Sequence, residues 1–244
     1  MVQRNASRRL SSAERAFRSA KARALKEEIV RTGRKLWERN YVDGNGGNIT
    51  GRLTDDWVIS TPTMQSKAEL SADDLCLVDL EGNQLAGRRR RSSEILLHLA
   101  IFKAQPRARA VIHCHPPHAT TYALVHKIPP VRMLAEHEVF VGPVAFVPYE
   151  TPGTQACADA VLPFVEDHNT ILLANHGVVC WGDTVTHAEW YVEVMDTTCR
   201  ILILASQAGE RAVPIPGAKI GDLLAMKKSL GLPDARYGRR PRRR

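Results

Sequence analysis

The chain has 244 residues, of which 44% are apolar and 25% are charged, and its formal net charge is +8. This composition is typical of a folded globular protein, and it excludes a disordered chain, a collagen-like fibre and a disulfide-stapled miniprotein. No run of 18 apolar residues occurs, and the N-terminus lacks the apolar core of a secretory signal. Five cysteines without a CxxC motif indicate free thiols, so we expect a cytoplasmic protein with no membrane partner.

Two arginine runs account for the excess positive charge. One covers residues 88–91, and five more arginines stand among the last six residues, next to Gly238 and Pro241. A terminal run of this kind is typical of a disordered, solvated tail. The sequence contains no recognised nucleic-acid-binding module and no aromatic stacking platform, so nucleic acid is not the expected partner.

Hydrophobic periodicity and the positions of glycine and proline predict the secondary structure in chain order. The expected elements are a helix over 13–39, a turn-rich loop over 44–50 that enters a short strand, strands over 57–60 and 75–79, a helix over 93–104, a strand over 110–113, a helix over 117–125, a strand over 144–149, a helix after residue 154, strands over 170–175 and 178–181, and a helix over 184–208. The last thirty residues are weakly patterned. Interleaved helices and strands without a linker indicate one α/β domain with helices flanking a central sheet.

Three of the nine histidines stand at the ends of predicted strands. His113 and His115 end an apolar strand, where the alternation of side chains places both imidazoles on the same face. His176 ends another apolar strand and precedes Gly177, which permits a close backbone approach. Three neutral imidazoles with an open fourth position make a catalytic zinc site, and we favour this interpretation over three satisfied core histidines.

Five segments together make the sequence similar to the class II aldolase/adducin family, in whose order they occur. They are GNGGNIT (44–50), STPT (60–63), SSEILLH (92–98), AVIHCHPPHAT (110–120) and LANHGVVCWG (173–182). The resemblance implies a single domain over 13–210 with a central, mainly antiparallel β-sheet flanked by helices on both sides. Residues 1–12 are then a flexible N-terminus, and residues 211–244 are a C-terminal segment with a disordered arginine-rich tail.

The resemblance also implies a metal centre, a catalytic carboxylate and a fourfold homotetramer with active sites at the subunit interfaces. His113, His115 and His176 match the family's zinc ligands, and Mn²⁺, Co²⁺ and Fe²⁺ are alternatives to zinc. Glu94 matches the catalytic carboxylate of the aldolases, whereas the epimerases have aspartate at that position. Short polar groups that suit a phosphate dianion, but that also suit turns and helix caps, match the positions that hold the substrate phosphate. These four residues are Asn48, Thr63, Ser92 and Ser93.

The loop after Thr63 departs from the family pattern. The family usually has glycine where this chain has Met64, and that glycine helps the backbone to close on phosphate. We therefore expect an altered anion pocket. Residues 88–91 are candidates to compensate for this change, although a solvated charge run is the simpler interpretation.

A second departure concerns a tyrosine that the family's aldolases carry soon after an Ile-Pro dipeptide, and that reaches a neighbouring subunit's site as a proton donor. Counting without gaps from residues 128–129 places Met133 at that position, and Glu136 and His137 follow it. His137 is therefore a candidate accessory residue. Tyr237 is a second candidate, because some family members bring a C-terminal tyrosine over the site.

These residues predict a zinc-dependent aldolase that cleaves a ketose 1-phosphate to dihydroxyacetone phosphate and an aldehyde. Fuculose, 5-deoxypentulose and methylthioribulose 1-phosphates are all suitable phosphorylated sugar substrates. The alternatives are an epimerase, a dehydratase or a decarboxylase with the same metal site, and a non-catalytic binding module like the adducin head. Because the three histidines and Glu94 are all present, an enzyme is favoured over the binding module.

Overall fold

The fold was obtained as a computed structural model that describes residues 10–209 and 212–237. The strands are β1 (Asn48–Arg52), β2 (Trp57–Ser60), β3 (Cys76–Asp79), β4 (Gln84–Ala86), β5 (Ala110–Cys114), β6 (Ala145–Val147), β7 (Thr170–Leu173) and β8 (Gly177–Gly182). Within the described ranges they form one sheet of eight strands, in the order β4-β3-β2-β1-β5-β8-β7-β6. Neighbouring strands are antiparallel throughout, except that β6 and β7 run parallel. The expected sheet is thereby confirmed.

Helices cover both faces of this sheet. They are α1 (Ser12–Phe17), α2 (Ala20–Glu38), α3 (Ile95–Ala104), α4 (Pro117–Leu124), α5 (Gln155–Val161), α6 (Val185–Gln207) and α7 (Gly217–Ser229). Two 3₁₀ turns, Ala72–Asp74 and Leu162–Phe164, and a π-helical turn, His137–Val141, complete the described structure. None of the described helices has the length and apolar character needed to cross a membrane.

The central strands β1 and β5 are buried along their whole length because a separate hydrophobic core lies on each face. In β5, Ile112 packs into the core that contains Ile29 of α2 and Val192 of α6. Its neighbour Val111 points the opposite way, into the core that contains Ile101 of α3. Alternating side chains on a strand that is buried on both faces produce this pattern, which keeps the middle of the sheet rigid.

The N-terminal helix is interrupted where the sequence predicts one helix over 13–39. α1 ends at Phe17 and α2 begins at Ala20, because the side chain of Ser19 accepts a hydrogen bond from the backbone N–H of Ala22 and caps the new helix. The short edge strand β4 and the helix α7 have no counterpart among the predicted elements.

The C-terminal segment packs onto the π-helical turn through buried charges. Lys227 of α7 is fully buried, and its Nζ donates to the carbonyl of Val141 at 2.7 Å and lies 3.0 Å from Oδ2 of Asp234. Arg236 bridges Asp234 and Glu138 at 2.8 and 2.6 Å. The boundary at residue 210 stays a prediction, and the arginine-rich tail from 238 onward and residues 1–9 lie outside the described residues.

Candidate metal centre

The backbone brings His113 and His115 to one end of the sheet, which we call the metal end. β5 ends there at Cys114, and β1 begins there, because Asn48 pairs with His113 in the register. β7 also ends there, and the turn from β7 to β8 carries His176.

Gly177 makes the close approach of the β7–β8 turn to β5 possible. A Cβ atom at this position would lie 2.5 Å from the carbonyl oxygen of Cys114 and 2.8 Å from Cδ2 of His115. No residue with a side chain fits there without displacing β5. The preceding Asn175 takes a positive φ of 53°, a backbone conformation that asparagine tolerates better than most residues. The Asn-His-Gly order thus follows from the geometry of this turn.

Three imidazole nitrogens converge at this end, from His113, His115 and His176, which we call the histidine triad. Nε2 of His113 lies 3.1 Å from Nε2 of His115 and 3.2 Å from Nε2 of His176. Two nitrogens that bind one zinc ion tetrahedrally at about 2.0–2.1 Å are about 3.3 Å apart. The donor set and its spacing therefore fit a divalent cation.

The surroundings of the triad favour the neutral imidazoles that a metal requires. Burial lowers the pKa of His113 well below its usual value, and it lowers the pKa of His176 to about 4. Nδ1 of His113 lies 2.9 Å from the carbonyl oxygen of Val178, to which it donates as the N–H tautomer. This hydrogen bond directs the lone pair of Nε2 towards the other two rings.

Glu94 stands beside the triad at the residue before α3. Its Oε2 lies 3.6 Å from Nε2 of His113 and 3.6 Å from Nε2 of His176, while its Oε1 accepts a hydrogen bond from Nδ2 of Asn48 at 3.1 Å. Oε2 is buried and has no hydrogen-bond partner among the described residues. Burial raises the pKa of Glu94, and the Asn48 amide and the Lys67 ammonium oppose this shift. A carboxyl group in this position can exchange a proton with a ligand at the cation.

The four residues expected to hold phosphate lie at the metal end, but two of them already have other partners. The amide nitrogen of Asn48 binds Glu94, and the hydroxyl of Ser92 accepts from the backbone N–H of Glu94 at 3.2 Å. Thr63 donates its backbone N–H to the carbonyl of Arg90, and Ser93 is exposed. The three segments are therefore adjacent, and the role of their side chains stays a prediction.

Met64 follows Thr63 in the left-handed region, with a φ of 54°. This conformation is unfavourable for any residue with a Cβ, and it gives a physical reason for a glycine at the corresponding position of the family. The side chain of Met64 is 76% exposed, and its Sδ accepts from Nδ2 of Asn45 at 3.3 Å.

The two candidate accessory residues, His137 and Tyr237, lie at the opposite end of the sheet within the same chain, which we call the far end. Asn169, directly before β7, donates to the carbonyl of Phe140 in the π-helical turn at 2.8 Å, so this turn sits where β7 begins. His137 belongs to the same turn and is buried. The backbone N–H of Tyr237 donates to Asp234, which belongs to the charge cluster on that turn. Neither residue reaches its own chain's histidine triad.

Two further residues support the metal end without any signal in the local sequence pattern. Asp196 of α6 accepts from the backbone N–H groups of His118 and Ala119 at 2.9 and 3.0 Å, and so fixes the start of α4 just after His115. Lys67 is buried, and its Nζ donates to the main-chain carbonyls of Asn45 and Gln65, which lie on the loops before β1 and after β2. The contacts of Asp196 with α4 and of Lys67 with Asn45 join positions that are distant in the chain, and only the folded structure shows them.

The chain is similar to known proteins over most of its length. Residues 27–203 match the class II aldolase and adducin N-terminal domain. The chain is 33% identical over 182 residues to 3-oxo-tetronate 4-phosphate decarboxylase of Haemophilus influenzae, which covers 73% of the chain and 86% of the relative. It is 32% identical over 176 residues to L-fuculose phosphate aldolase of Methanococcus maripaludis, which covers 72% of the chain and 93% of the relative.

Solved structures share the fold over most of the chain. Escherichia coli YgbL, a candidate aldolase, epimerase or decarboxylase, matches with a TM-score of 0.77 at 27% identity, covering 82% of this chain and 98% of YgbL. An L-fuculose 1-phosphate aldolase matches with a TM-score of 0.75 at 26% identity, covering 86% of this chain and 97% of that enzyme. The fold and the relatives thus define a group of lyases that contains aldolases and decarboxylases. The chain belongs to the class II aldolase/adducin family.

Proposed function

We propose that the protein is a zinc-dependent carbon–carbon lyase that acts on a phosphorylated sugar or sugar acid. The observation that carries this proposal is the placement of Glu94 Oε2 at 3.6 Å from two nitrogens of a histidine triad that fits a divalent cation. Three imidazoles and one nearby carboxylate suit zinc, and Mn²⁺, Co²⁺ and Fe²⁺ accept the same donor set. The free, buried cysteines of the described residues suit the reducing cytoplasm, where we place the enzyme.

The chemistry divides between the cation and Glu94. A bound divalent cation supplies Lewis-acid stabilisation of the negative charge that develops on substrate oxygens. Glu94 delivers a proton to the carbon from which the leaving group has departed. Its burial raises the pKa of the carboxyl group, which increases the protonated fraction available for this transfer. The hydrogen bond from Asn48 to Oε1 holds the carboxyl group so that Oε2 faces the site.

Aldol cleavage of a ketose 1-phosphate is our first candidate reaction. The C3–C4 bond breaks, its electron pair stays on C3 as an enediolate, and the C4 hydroxyl gives its proton to a water molecule as C4 becomes an aldehyde carbon. Glu94 then protonates C3 to give dihydroxyacetone phosphate. The 32% identity to an L-fuculose phosphate aldolase and the glutamate at position 94 support this reaction.

Decarboxylation is the second candidate, and a specific observation favours it. The substrate in the name of the Haemophilus influenzae relative is a 3-oxo acid, which loses CO₂ and leaves its electron pair on C2. Protonation of C2 then yields dihydroxyacetone phosphate again, through the same enediolate. This reaction removes no hydroxyl proton, so it needs no counterpart of the tyrosine that Met133 replaces. An epimerase has weaker support because its family members have aspartate at the position of Glu94, and an adducin-like binding module has weaker support because Glu94 and the triad are retained. Glu94 does not distinguish a dehydratase from the two lyase reactions.

The proposal also assigns roles to the expected phosphate-binding residues and to the two accessory residues. Asn48, Thr63, Ser92 and Ser93 surround the phosphate group of the substrate on three adjacent segments. His137 and Tyr237 lie at the far end, so they reach a site only in a neighbouring subunit. We therefore propose a homotetramer in which the far end of one subunit faces the metal end of the next.

One coupled assay tests the function and separates the two reactions. The zinc-loaded protein is incubated with L-fuculose 1-phosphate, 5-deoxyribulose 1-phosphate, methylthioribulose 1-phosphate and 3-oxo-tetronate 4-phosphate, and dihydroxyacetone phosphate is detected by its enzymatic reduction with NADH. Release of an aldehyde identifies the aldolase, and release of CO₂ identifies the decarboxylase. Absence of dihydroxyacetone phosphate from all four substrates would contradict the proposed function.

A further inference from the structure

Lys67 is a buried lysine whose ammonium group is held by main-chain carbonyls. Its side chain is almost completely buried, and its Nζ donates to the main-chain carbonyls of Asn45 at 2.9 Å and Gln65 at 3.0 Å. Among the described residues, no carboxylate oxygen forms an ion pair with it. Lysine is among the residues least often buried without such a partner, because an ammonium ion loses its hydration on burial.

The other fully buried lysine of the described residues, Lys227, has a carboxylate that compensates its charge. Lys227 at the far end lies 3.0 Å from Oδ2 of Asp234 and also donates to a carbonyl. Lys67 donates only to two neutral carbonyls, and the carboxylate of Glu94 acts on its charge without forming an ion pair with it. Burial lowers the pKa of Lys67 to about 8 and Glu94 opposes this shift, so Lys67 still carries its charge at neutral pH in most molecules. A buried cation without an ion-paired carboxylate indicates that a further anion completes the site.

The two carbonyls that bind Lys67 belong to the two loops that carry the expected phosphate residues. Asn45 lies three residues before Asn48, and Gln65 lies two residues after Thr63. The ammonium group therefore joins the two loops through one hydrogen bond to each. The segment before α3 is attached to the same unit, because Thr63 donates its backbone N–H to Arg90.

A phosphate monoester dianion on these segments needs a positive charge that neutral side chains do not provide. Asn48, Thr63 and the two serines before Glu94 offer only neutral dipoles. Arg89 of the nearby arginine run pairs with Asp74 and is thus already compensated. Arg91 turns its guanidinium to the carbonyl of Ser92. Lys67 is the buried cation that contacts both loops.

We propose that Lys67 is a positioning residue that holds the 44–50 and 61–66 loops together and compensates the charge of the substrate's phosphate group. This inference rests on the proposed function, since it assigns a phosphorylated ligand to the same site. Met64 holds the second of these loops in a left-handed conformation, and the fixed charge of Lys67 next to this loop adds affinity for the phosphate group.

Binding of inorganic phosphate to the full-length, metal-loaded protein tests the inference without any turnover. Isothermal titration calorimetry compares the wild type with Lys67→Met, which keeps the stem and loses the charge, and with Lys67→Gln, which keeps hydrogen-bond donors without the charge. Lys103→Met is the matched control, because Lys103 is an exposed lysine on α3. We expect at least a tenfold weaker affinity for phosphate in both Lys67 variants and no change in the control.

Metal content, measured on the same samples, separates charge compensation from general damage. We expect both Lys67 variants to keep the metal content of the wild type. With an active substrate from the assay above, KM should rise at least tenfold, with a much smaller change in kcat. Equal phosphate affinity in wild type and Lys67→Met, absence of phosphate binding in the wild type, or loss of metal together with phosphate affinity would each overturn the inference. Phosphate binding that depends on Lys67 without lyase activity would instead refute only the proposed function.

Discussion

The two ends of the sheet differ in whether their charged side chains have close, oppositely charged partners. At the far end, Lys227, Asp234 and Glu138 are buried and Arg236 is half-buried, and each of the four has an oppositely charged partner within 3.0 Å. At the metal end, His113 and Lys67 are buried, while His115, His176 and Glu94 are half-buried. Among the described residues none of these five has such a close partner: Oε2 of Glu94 lies 3.6 Å from two of the imidazoles and has no hydrogen bond. Paired groups satisfy one another and serve the fold, whereas unpaired groups await a ligand.

Loss of one triad member should have the largest effect on the metal end. His113→Ala removes the most deeply buried ligand, so we expect metal content to fall below a tenth of the wild-type value and lyase activity to become undetectable. Metal content is measured by inductively coupled plasma mass spectrometry after dialysis. His187→Ala is the matched control, because His187 lies on the surface near Asp183. Full metal retention in His113→Ala would remove His113 from the ligand set.

Neutralising the carboxylate should abolish turnover while leaving the cation in place. Glu94→Gln keeps the size of the side chain and its contact with Asn48 but cannot deliver a proton. We expect kcat to fall by about 10²–10⁴-fold, the usual contribution of a positioned acid or base. Metal content and the unfolding midpoint should stay near wild-type values. Near-normal kcat in this variant would assign the proton transfer to another group.

Removing one charge from the far end should lower the stability of the fold and leave the reaction at the metal end unchanged. Lys227→Met removes the ammonium group shared by Asp234 and the carbonyl of Val141, and leaves Asp234 with Arg236 as its cationic partner. We therefore expect the free energy of unfolding to fall by about 2 kcal/mol. Urea denaturation of the metal-free protein gives this value. Lys219→Met provides the control, because its pair with Asp222 is exposed and should contribute less than about 0.5 kcal/mol. A stability loss in Lys219→Met that equals the loss in Lys227→Met would contradict the distinction between buried and exposed pairs.

The acid sensitivity of the far end is the last of these effects, because it is absent at neutral pH and develops only below about pH 6.5. Burial lowers the pKa of His137 to about 4, whereas in the unfolded chain it is near 6.5. The unfolded state therefore binds more protons between these values, and stability falls as pH decreases from about 6.5 to about 4. His137→Phe should flatten this decrease by about one proton, or at most 1.4 kcal/mol per pH unit. Urea titrations of metal-free protein at several pH values measure the slope, and an unchanged slope would show that His137 does not contribute.

The sequence was most informative where local geometry and chemistry coincide. His-x-His at a strand end and the Asn-His-Gly turn both follow from backbone rules, and the structure brings the three rings together. The break between α1 and α2 is also predictable from the sequence, because Ser19 is a local helix-cap signal that the longer apolar pattern obscures. α7 is mostly exposed and weakly amphipathic, so periodicity alone does not reveal it.

Other features depend on contacts between distant parts of the chain, which no local pattern encodes. Asp196 caps α4 from α6, and Lys67 binds two loops through main-chain carbonyls that any residue type can provide. The placement of His137 at the far end likewise follows only from the packing of the π-helical turn near β7. Long-range polar contacts of this kind decide which buried charges are paired.

Anomalous diffraction at the zinc absorption edge, from crystals of the zinc-loaded protein, tests the central claim most directly. We expect a single strong anomalous peak at the metal end, within about 2.0–2.1 Å of Nε2 of His113, His115 and His176. A zinc peak elsewhere, or one bound by fewer than three of these imidazoles, would contradict the metal centre and the lyase chemistry built on it.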